Sequence, residues 1–170
     1  MNCKLKQEIS KLIEYYGLKC EIEDFAKEVE WDWVSAYRFL SEDFIREFQG
    51  KVNWIKISIY QELSEDFIEE FTARVDWKNI SYYQVLSERF IRKHKDRVSW
   101  GYISARQTLS EGFIEEFQGR VNWPQISRKQ KLSESFIERF EDKIDWDGIC
   151  GGQKCQKNLS ESISTKLIGY

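Results

Sequence analysis

Leu40 to Glu62 reads LSEDFIREFQGKVNWIKISIYQE, and the same pattern returns every 23 residues, starting at Leu63, Leu86, Leu109 and Leu132. A fixed internal period of this length marks an array in which each unit buries its apolar face on the next. Such a chain folds as a stack rather than around one globular core. About ten positions recur at fixed offsets through all five units.

Within a unit the spacing predicts helix, turn, helix. Ser41, Ser64, Ser87, Ser110 and Ser133 stand where a hydroxyl accepts the first free backbone N–H of a helix, and each is followed by Glu, which suits the positive end of the helix dipole. Phe44, Ile45, Phe48 and Val52 make one face of this first helix, and Lys51, Arg74, Arg97, Arg120 and Lys143 put a cation near its C-terminal end. Asn53, Asp76, Ser99, Asn122 and Asp145 are the next caps, each followed by Trp and then by Ile three residues later. The single proline, Pro124, falls in the first turn of its helix, where a missing N–H costs little. None of this alternates with a period of two, so strands are excluded.

The ends of the array are atypical, as an array needs in order to stop without exposing its seam. Leu5, Ile9, Leu12, Ile13 and Tyr16 form one helical stripe closed by Gly17, which predicts an N-terminal capping helix within 1–17. Residues 18–39 are a worn repeat: Ile22, Phe25, Val29, Trp31, Val34 and Ser35 match the register, while Glu21 stands where later units carry Phe. Residues 40–154 hold the five full repeats. In 155–170 the motif restarts out of register at Leu159, Ser160 and Glu161, with Ile163 and Leu167 continuing its stripe, which predicts a closing cap. The expectation is one all-α domain over 1–170, an α-solenoid of helix-turn-helix repeats capped at both ends. With helices packed about 8–10 Å apart it would run to roughly 50 Å.

Charge and composition bound the partner. Lys plus Arg number 26 and Asp plus Glu 29, a formal charge of −3, whereas phosphate binders usually carry a basic balance. No apolar run approaches the roughly 20 residues of a membrane span, and the opening MNCKLKQEISKLIEYY is amphipathic rather than a signal peptide, so no membrane and a cytoplasmic setting are expected. Cys3, Cys20, Cys150 and Cys155 are too few, and too clustered at the two ends, for a disulfide framework. Cys150 takes the slot of Ser58, Ser81, Ser104 and Ser127, a small packed side chain. With Cys155 it leaves half a zinc site or a redox pair as the alternative.

The pattern Leu-Ser-Glu-x-Phe-Ile, then Val-Asn/Asp-Trp, then Ile-Ser and Gln resembles the short tandem repeats of proteins from large DNA viruses and some bacteriophages. The resemblance spans 40–154 well and 18–39 weakly, and it brings no catalytic residue with it. It implies a viral or phage-borne helical array. By analogy with other solenoids it also implies a surface for a macromolecule.

Positions that stay constant from unit to unit are explained by stacking, so binding is expected where the sequence varies on a constant scaffold. Those positions lie on the second helices. The candidate partner-binding residues are Ile59, Tyr60, Tyr82, Tyr83, Tyr102, Arg106, Arg128 and Lys129, a strip that runs from aromatic to basic. Tyrosine offers large contact area at low entropy cost and arginine offers planar donors, which suits a protein interface.

Two other readings stay open. One is a single-stranded nucleic-acid binder stacking bases on Tyr60, Tyr83 and Tyr102, with Arg106, Arg128, Lys129 and Lys131 on phosphates. The other is a self-assembling array, against an expectation of a monomer or weak homo-oligomer. Salt-sensitive oligonucleotide binding marks the first, and a solution mass above one chain marks the second.

Neither a metal, a cofactor nor an enzymatic activity is expected. His94, the single histidine, fills the slot of Phe48, Phe71, Phe117 and Phe140 and reads as a buried substitution. Gln61, Gln84, Gln107, Gln130 and Gln153 read as an amide ladder to neighbouring helix ends. Glu69, Glu70, Glu115 and Glu116 read as solvated surface without a marked acid–base pair.

Overall fold

The computed structural model of the chain describes residues 3–37 and 39–152, the last three of these by their backbone only. Among the described residues there are thirteen helices and no strand, as the period requires. The expected closing cap, with Leu159, Ser160, Glu161, Ile163 and Leu167, lies outside them, as do Gln153, Cys155 and the Cys150 side chain. The helices gather into two compact units, Met1–Gln84 and Val85–Tyr170.

The first unit contains α1 (Cys3–Tyr16), α2 (Phe25–Glu28), α3 (Trp31–Ser35), α4 (Glu42–Glu47), α5 (Trp54–Tyr60), α6 (Glu65–Glu70) and α7 (Trp77–Tyr83). Helix α1 lies outside the repeat register and buries Leu5, Ile9 and Leu12, packing against α4. It ends in a Schellman motif: Gly17 has φ +63° and donates to Glu14 O (3.1 Å), while the Leu18 N–H donates to Ile13 O (2.9 Å). The worn repeat supplies α2 and α3, neither with a side-chain cap. Helix α5 lies between α3 and α7, so the second helices of this unit stack in order.

The second unit contains α8 (Glu88–Lys93), α9 (Trp100–Arg106), α10 (Glu111–Glu116), α11 (Trp123–Lys129), α12 (Glu134–Arg139) and α13 (Trp146–Gly152). Here α11 lies between α9 and α13. In both units repeats stack side by side in the manner of an α-solenoid.

Each repeat is held locally by its caps. Ser41, Ser64, Ser87, Ser110 and Ser133 each accept the N–H of the residue three further on. Asn53, Asp76 and Asn122 cap α5, α7 and α11 in the same way, whereas Ser99 makes no side-chain cap bond to α9. Helices of six or seven residues are too short to persist alone, so packing must hold them.

That packing is an aromatic seam. At three second helices the opening Trp lies against two Phe residues of the following repeat. Trp54 meets Phe67 and Phe71 with ring centroids at 6.3 and 4.9 Å, Trp100 meets Phe113 and Phe117 at 6.2 and 4.8 Å, and Trp123 meets Phe136 and Phe140 at 6.4 and 5.4 Å. Phe44, Phe67 and Phe113 are fully buried, each stabilising by about 1.5–3 kcal/mol. His94 is buried as the Phe-slot substitution, its ring 4.5 Å from Phe90.

The polar residues of the motif bond between repeats. Gln84 accepts the Leu63 N–H through Oε1 (3.0 Å), and its Nε2 donates to Ser58 O (3.1 Å) and Gln61 O (2.8 Å). Gln130 repeats the arrangement with Leu109 N, Ser104 O and Gln107 O. Gln61 does so with Leu40 N, Ser35 O and Tyr37 O. The buried Ser58 hydroxyl donates to Trp54 O (2.7 Å) and accepts the N–H of Asp76 (3.0 Å). Ser104 does the same between Trp100 and Asn122. One side chain thus satisfies the peptide groups that a short helix leaves open in the unit before it.

Two groups of charged residues, placed as expected, also make bonds between repeats. Glu42 and Glu88, read as dipole partners of their own helices, accept the cap N–H of the following repeat, from Ser64 (2.8 Å) and Ser110 (2.6 Å). Glu70, Glu115 and Glu116, read as solvated surface, pair between repeats: Arg46 with Glu70 (2.8 Å), Arg92 with Glu116 (2.7 Å) and Arg139 with Glu115 (2.7 Å). The glutamate bond holds the Arg46 guanidinium above its ordinary pKa. The cation slot also reaches backwards, Arg74 donating to Gln49 O (2.8 Å) and Arg120 to Lys95 O (2.9 Å).

Candidate functional site

A seven-residue second helix has room for one buried side and one open side. On α5, Ile57 and Ser58 face the stack and are fully buried, while Ile55, Lys56, Ile59 and Tyr60 span an arc of about 140° opposite them, at about 100° per residue. Stacking constrains the first pair and leaves the second set to vary. The candidate residues all lie on this open arc.

In the first unit the strip is aromatic. Tyr60 is 51% exposed and Tyr83 50%. These two occupy the same slot on the adjacent helices α5 and α7. Tyr82 is half-buried and holds Tyr83 edge-to-face at a centroid distance of 4.6 Å; Ile59 is half-buried beside Tyr60. Ile55 adds exposed aliphatic surface. The fold therefore brings Ile59, Tyr60, Tyr82 and Tyr83 onto one face of this unit.

In the second unit the strip is basic. Tyr102 is half-buried, and Arg106, Arg128 and Lys129 are exposed on α9 and α11. The Tyr60 and Tyr83 slot is taken here by Arg106 and Lys129, and the Tyr82 slot by Arg128.

The worn repeat extends the first unit's strip in a way sequence reading missed. Trp33 stands in the slot of Lys56 and is 70% exposed on α3, beside α5. Tyr37 stands in the slot of Tyr60, but here the ring is already covered. Tyr15 of α1 meets it edge-to-face at 4.9 Å, and Tyr16 lies 6.2 Å away. The Tyr16 hydroxyl donates to Trp33 O (3.2 Å). Burial, with the neighbouring phenols of Tyr15 and Tyr37 adding to it, pushes the Tyr16 pKa up. Aligning Trp33 with Lys56 and Asn79 would have exposed its position; matching only the apolar slots did not.

Between the end of α1 and α3 lies a cavity of about 250 Å³. Tyr16, Leu18, Val29, Trp33 and Val34 line it together with Glu28 and Glu30, both exposed.

Among the described residues no group of three or more His, Cys, Asp or Glu is placed to hold a metal ion, and no helix is long and apolar enough to cross a membrane. Cys3 and Cys20 are free thiols. No family model, curated protein or solved structure matches the chain.

Proposed function

We propose that the chain is a non-enzymatic binding module that docks a protein partner along the outward strip of its second helices. In keeping with the resemblance of its repeats, it acts in the cytoplasm of a host cell as a viral or phage product directed at a host-defence protein. The observation that carries the reading is the treatment of one repeat slot. Tyr37, Tyr60 and Tyr83 share it, and Tyr37 is engaged edge-to-face by Tyr15 of a helix outside the repeat register, whereas Tyr60 and Tyr83 remain half exposed. The slot thus accepts an aromatic side chain from a foreign helix at one position and is open at two others. Edge-to-face ring pairs contribute about 0.5–1.5 kcal/mol beyond the area they bury, and tyrosines at such sites anchor protein interfaces.

The test is affinity capture from nuclease-treated lysate with the wild-type chain and with a Tyr60→Ala, Tyr83→Ala variant, followed by rebinding of the captured protein in purified form. A partner that survives nuclease, rebinds alone and loses at least about tenfold in affinity to the variant supports the reading. Capture that disappears with nuclease transfers the function to nucleic acid and to the basic residues Arg106, Arg128 and Lys129. A mass above one chain, lost in the variant, transfers it to self-association.

A further inference from the structure

We propose that the cavity between α1 and α3 is the anchor point of the docking strip and takes one bulky apolar side chain of the partner, flanked there by Lys or Arg. This rests on the reading of the strip as a protein-docking face and specifies the chemistry of what docks. Three observations point to it.

The first is shape. At about 250 Å³ the cavity falls below the roughly 300–1,000 Å³ of small-molecule sites and matches a single inserted side chain. Its wall is aliphatic and aromatic, from Leu18, Val29, Val34, Tyr16 and Trp33. A Trp with 70% of its surface exposed at the mouth of such a cavity is the kind of residue that dominates interface energetics.

The second is position. Trp33, which lines the cavity, holds the Lys56 slot on a helix that packs beside α5, the helix that carries Tyr60. Helix α1 forms the other wall, and the bond from the Tyr16 hydroxyl to Trp33 O ties the two together.

The third is charge, which selects the occupant. The segment from Glu21 to Asp32 carries six carboxylates, Glu21, Glu23, Asp24, Glu28, Glu30 and Asp32, against the single cation Lys27. Asp24 is paired with Lys27 (2.8 Å), and Asp32 accepts from Asn53 (2.8 Å) and pairs with Lys56 (3.8 Å). Glu28 and Glu30, exposed residues that line the cavity, make no ion pair among the described residues. A largely apolar cavity with two exposed carboxylates in its lining repels acidic segments and favours an apolar side chain between cations.

The experiment measures binding of short fluorescent peptides to the full chain by polarisation. Each peptide has a central Leu, Phe or Trp flanked by Lys; matched peptides carry Glu flanks, or a central Ala. The Lys-flanked peptides are expected to bind, with affinity falling at least about tenfold for Glu flanks, for central Ala, and for the Trp33→Ala chain. The Glu28→Lys, Glu30→Lys chain, altered only at exposed positions, is expected to reverse the preference and take the Glu-flanked peptides. Absence of binding, equal binding of both flank types, or an unchanged preference in the charge-swapped chain overturns the proposal. The strip is judged separately: a partner lost by the Tyr60→Ala, Tyr83→Ala chain but kept by the Trp33→Ala and charge-swapped chains leaves the strip standing and removes the cavity from it.

Discussion

Glu8 Oε1 accepts the Ser41 backbone N–H at 2.8 Å, and its second oxygen accepts the Ser41 hydroxyl. In the full repeats that role falls to the glutamate following the preceding cap serine, as with Glu42 on Ser64 and Glu111 on Ser133. The worn repeat has Lys19 in the corresponding position, 23 residues before Glu42, and could not perform it. Helix α1 lies outside the register yet supplies the missing carboxylate, so the cap completes the first full repeat as well as covering it. Glu8→Ala is expected to destabilise the first unit by about 1–2 kcal/mol, the worth of charge-assisted hydrogen bonds to a helix start. Urea denaturation checks this, with Glu14→Ala, on the exposed side of the same helix, as the variant expected to change little.

Gln84 is the junction of three peptide groups, Leu63 N, Ser58 O and Gln61 O, at the ends of two successive repeats. Replacing it with Leu keeps the side chain's bulk and leaves those buried groups without their partner. Gln84→Leu is expected to cost about 2–4 kcal/mol, more than the loss of one ordinary hydrogen bond, because desolvated groups are left behind. A thermal melt that drops by less than the equivalent of about 0.5 kcal/mol would show that the amide is dispensable.

How much of this was legible in the sequence depends on how far apart the partners lie. The helix pair, its serine caps and its aromatic face follow from spacings of three and four residues, and Gln84 was readable as a ladder because its slot never varies. The bonds from Glu42 to Ser64 and from Arg46 to Glu70 join residues 22 and 24 positions apart. Such contacts depend on how repeats are offset in space, which no spacing within a repeat reveals. In the sequence Glu70 and Glu116 are consequently indistinguishable from plain surface. The candidate strip is legible because its slots vary on a constant scaffold. Trp33 is not legible in this way because the worn repeat matches the register only at its buried positions, and the cavity beside it needs α1, whose own period says nothing of where it docks.

Trp54 and Tyr83 separate stability from binding. Trp54 stacks against Phe67 and Phe71 and donates through Nε1 to Gln49 O (3.1 Å), so Trp54→Ala is expected to destabilise by about 3 kcal/mol. Tyr83 is half exposed and its ring meets that of Tyr82 edge-to-face, so Tyr83→Ala should cost no more than about 1.5 kcal/mol, well below Trp54→Ala, while weakening partner binding. Parallel melts and binding curves check both. If Tyr83→Ala melted the fold as Trp54→Ala does, the strip would be part of the core and the docking assignment would lapse.

Tyr16 makes folding sensitive to alkaline pH. Burial, then the phenols of Tyr15 and Tyr37, hold its pKa above the ordinary tyrosine value, so the folded chain keeps a proton that the unfolded chain gives up. Its contribution is therefore complete below the ordinary tyrosine range and is lost as pH rises through the folded-state value. Tyr16→Phe removes the titrating hydroxyl together with its bond to Trp33 O. The variant is expected to be less stable than wild type at neutral pH and to lose less stability on alkalinisation, so that the two curves converge. Urea unfolding at stepped pH, with tyrosinate absorbance followed in parallel, measures that convergence. Curves that stay parallel throughout would show that the Tyr16 phenol gives up its proton equally readily in the folded and unfolded chain.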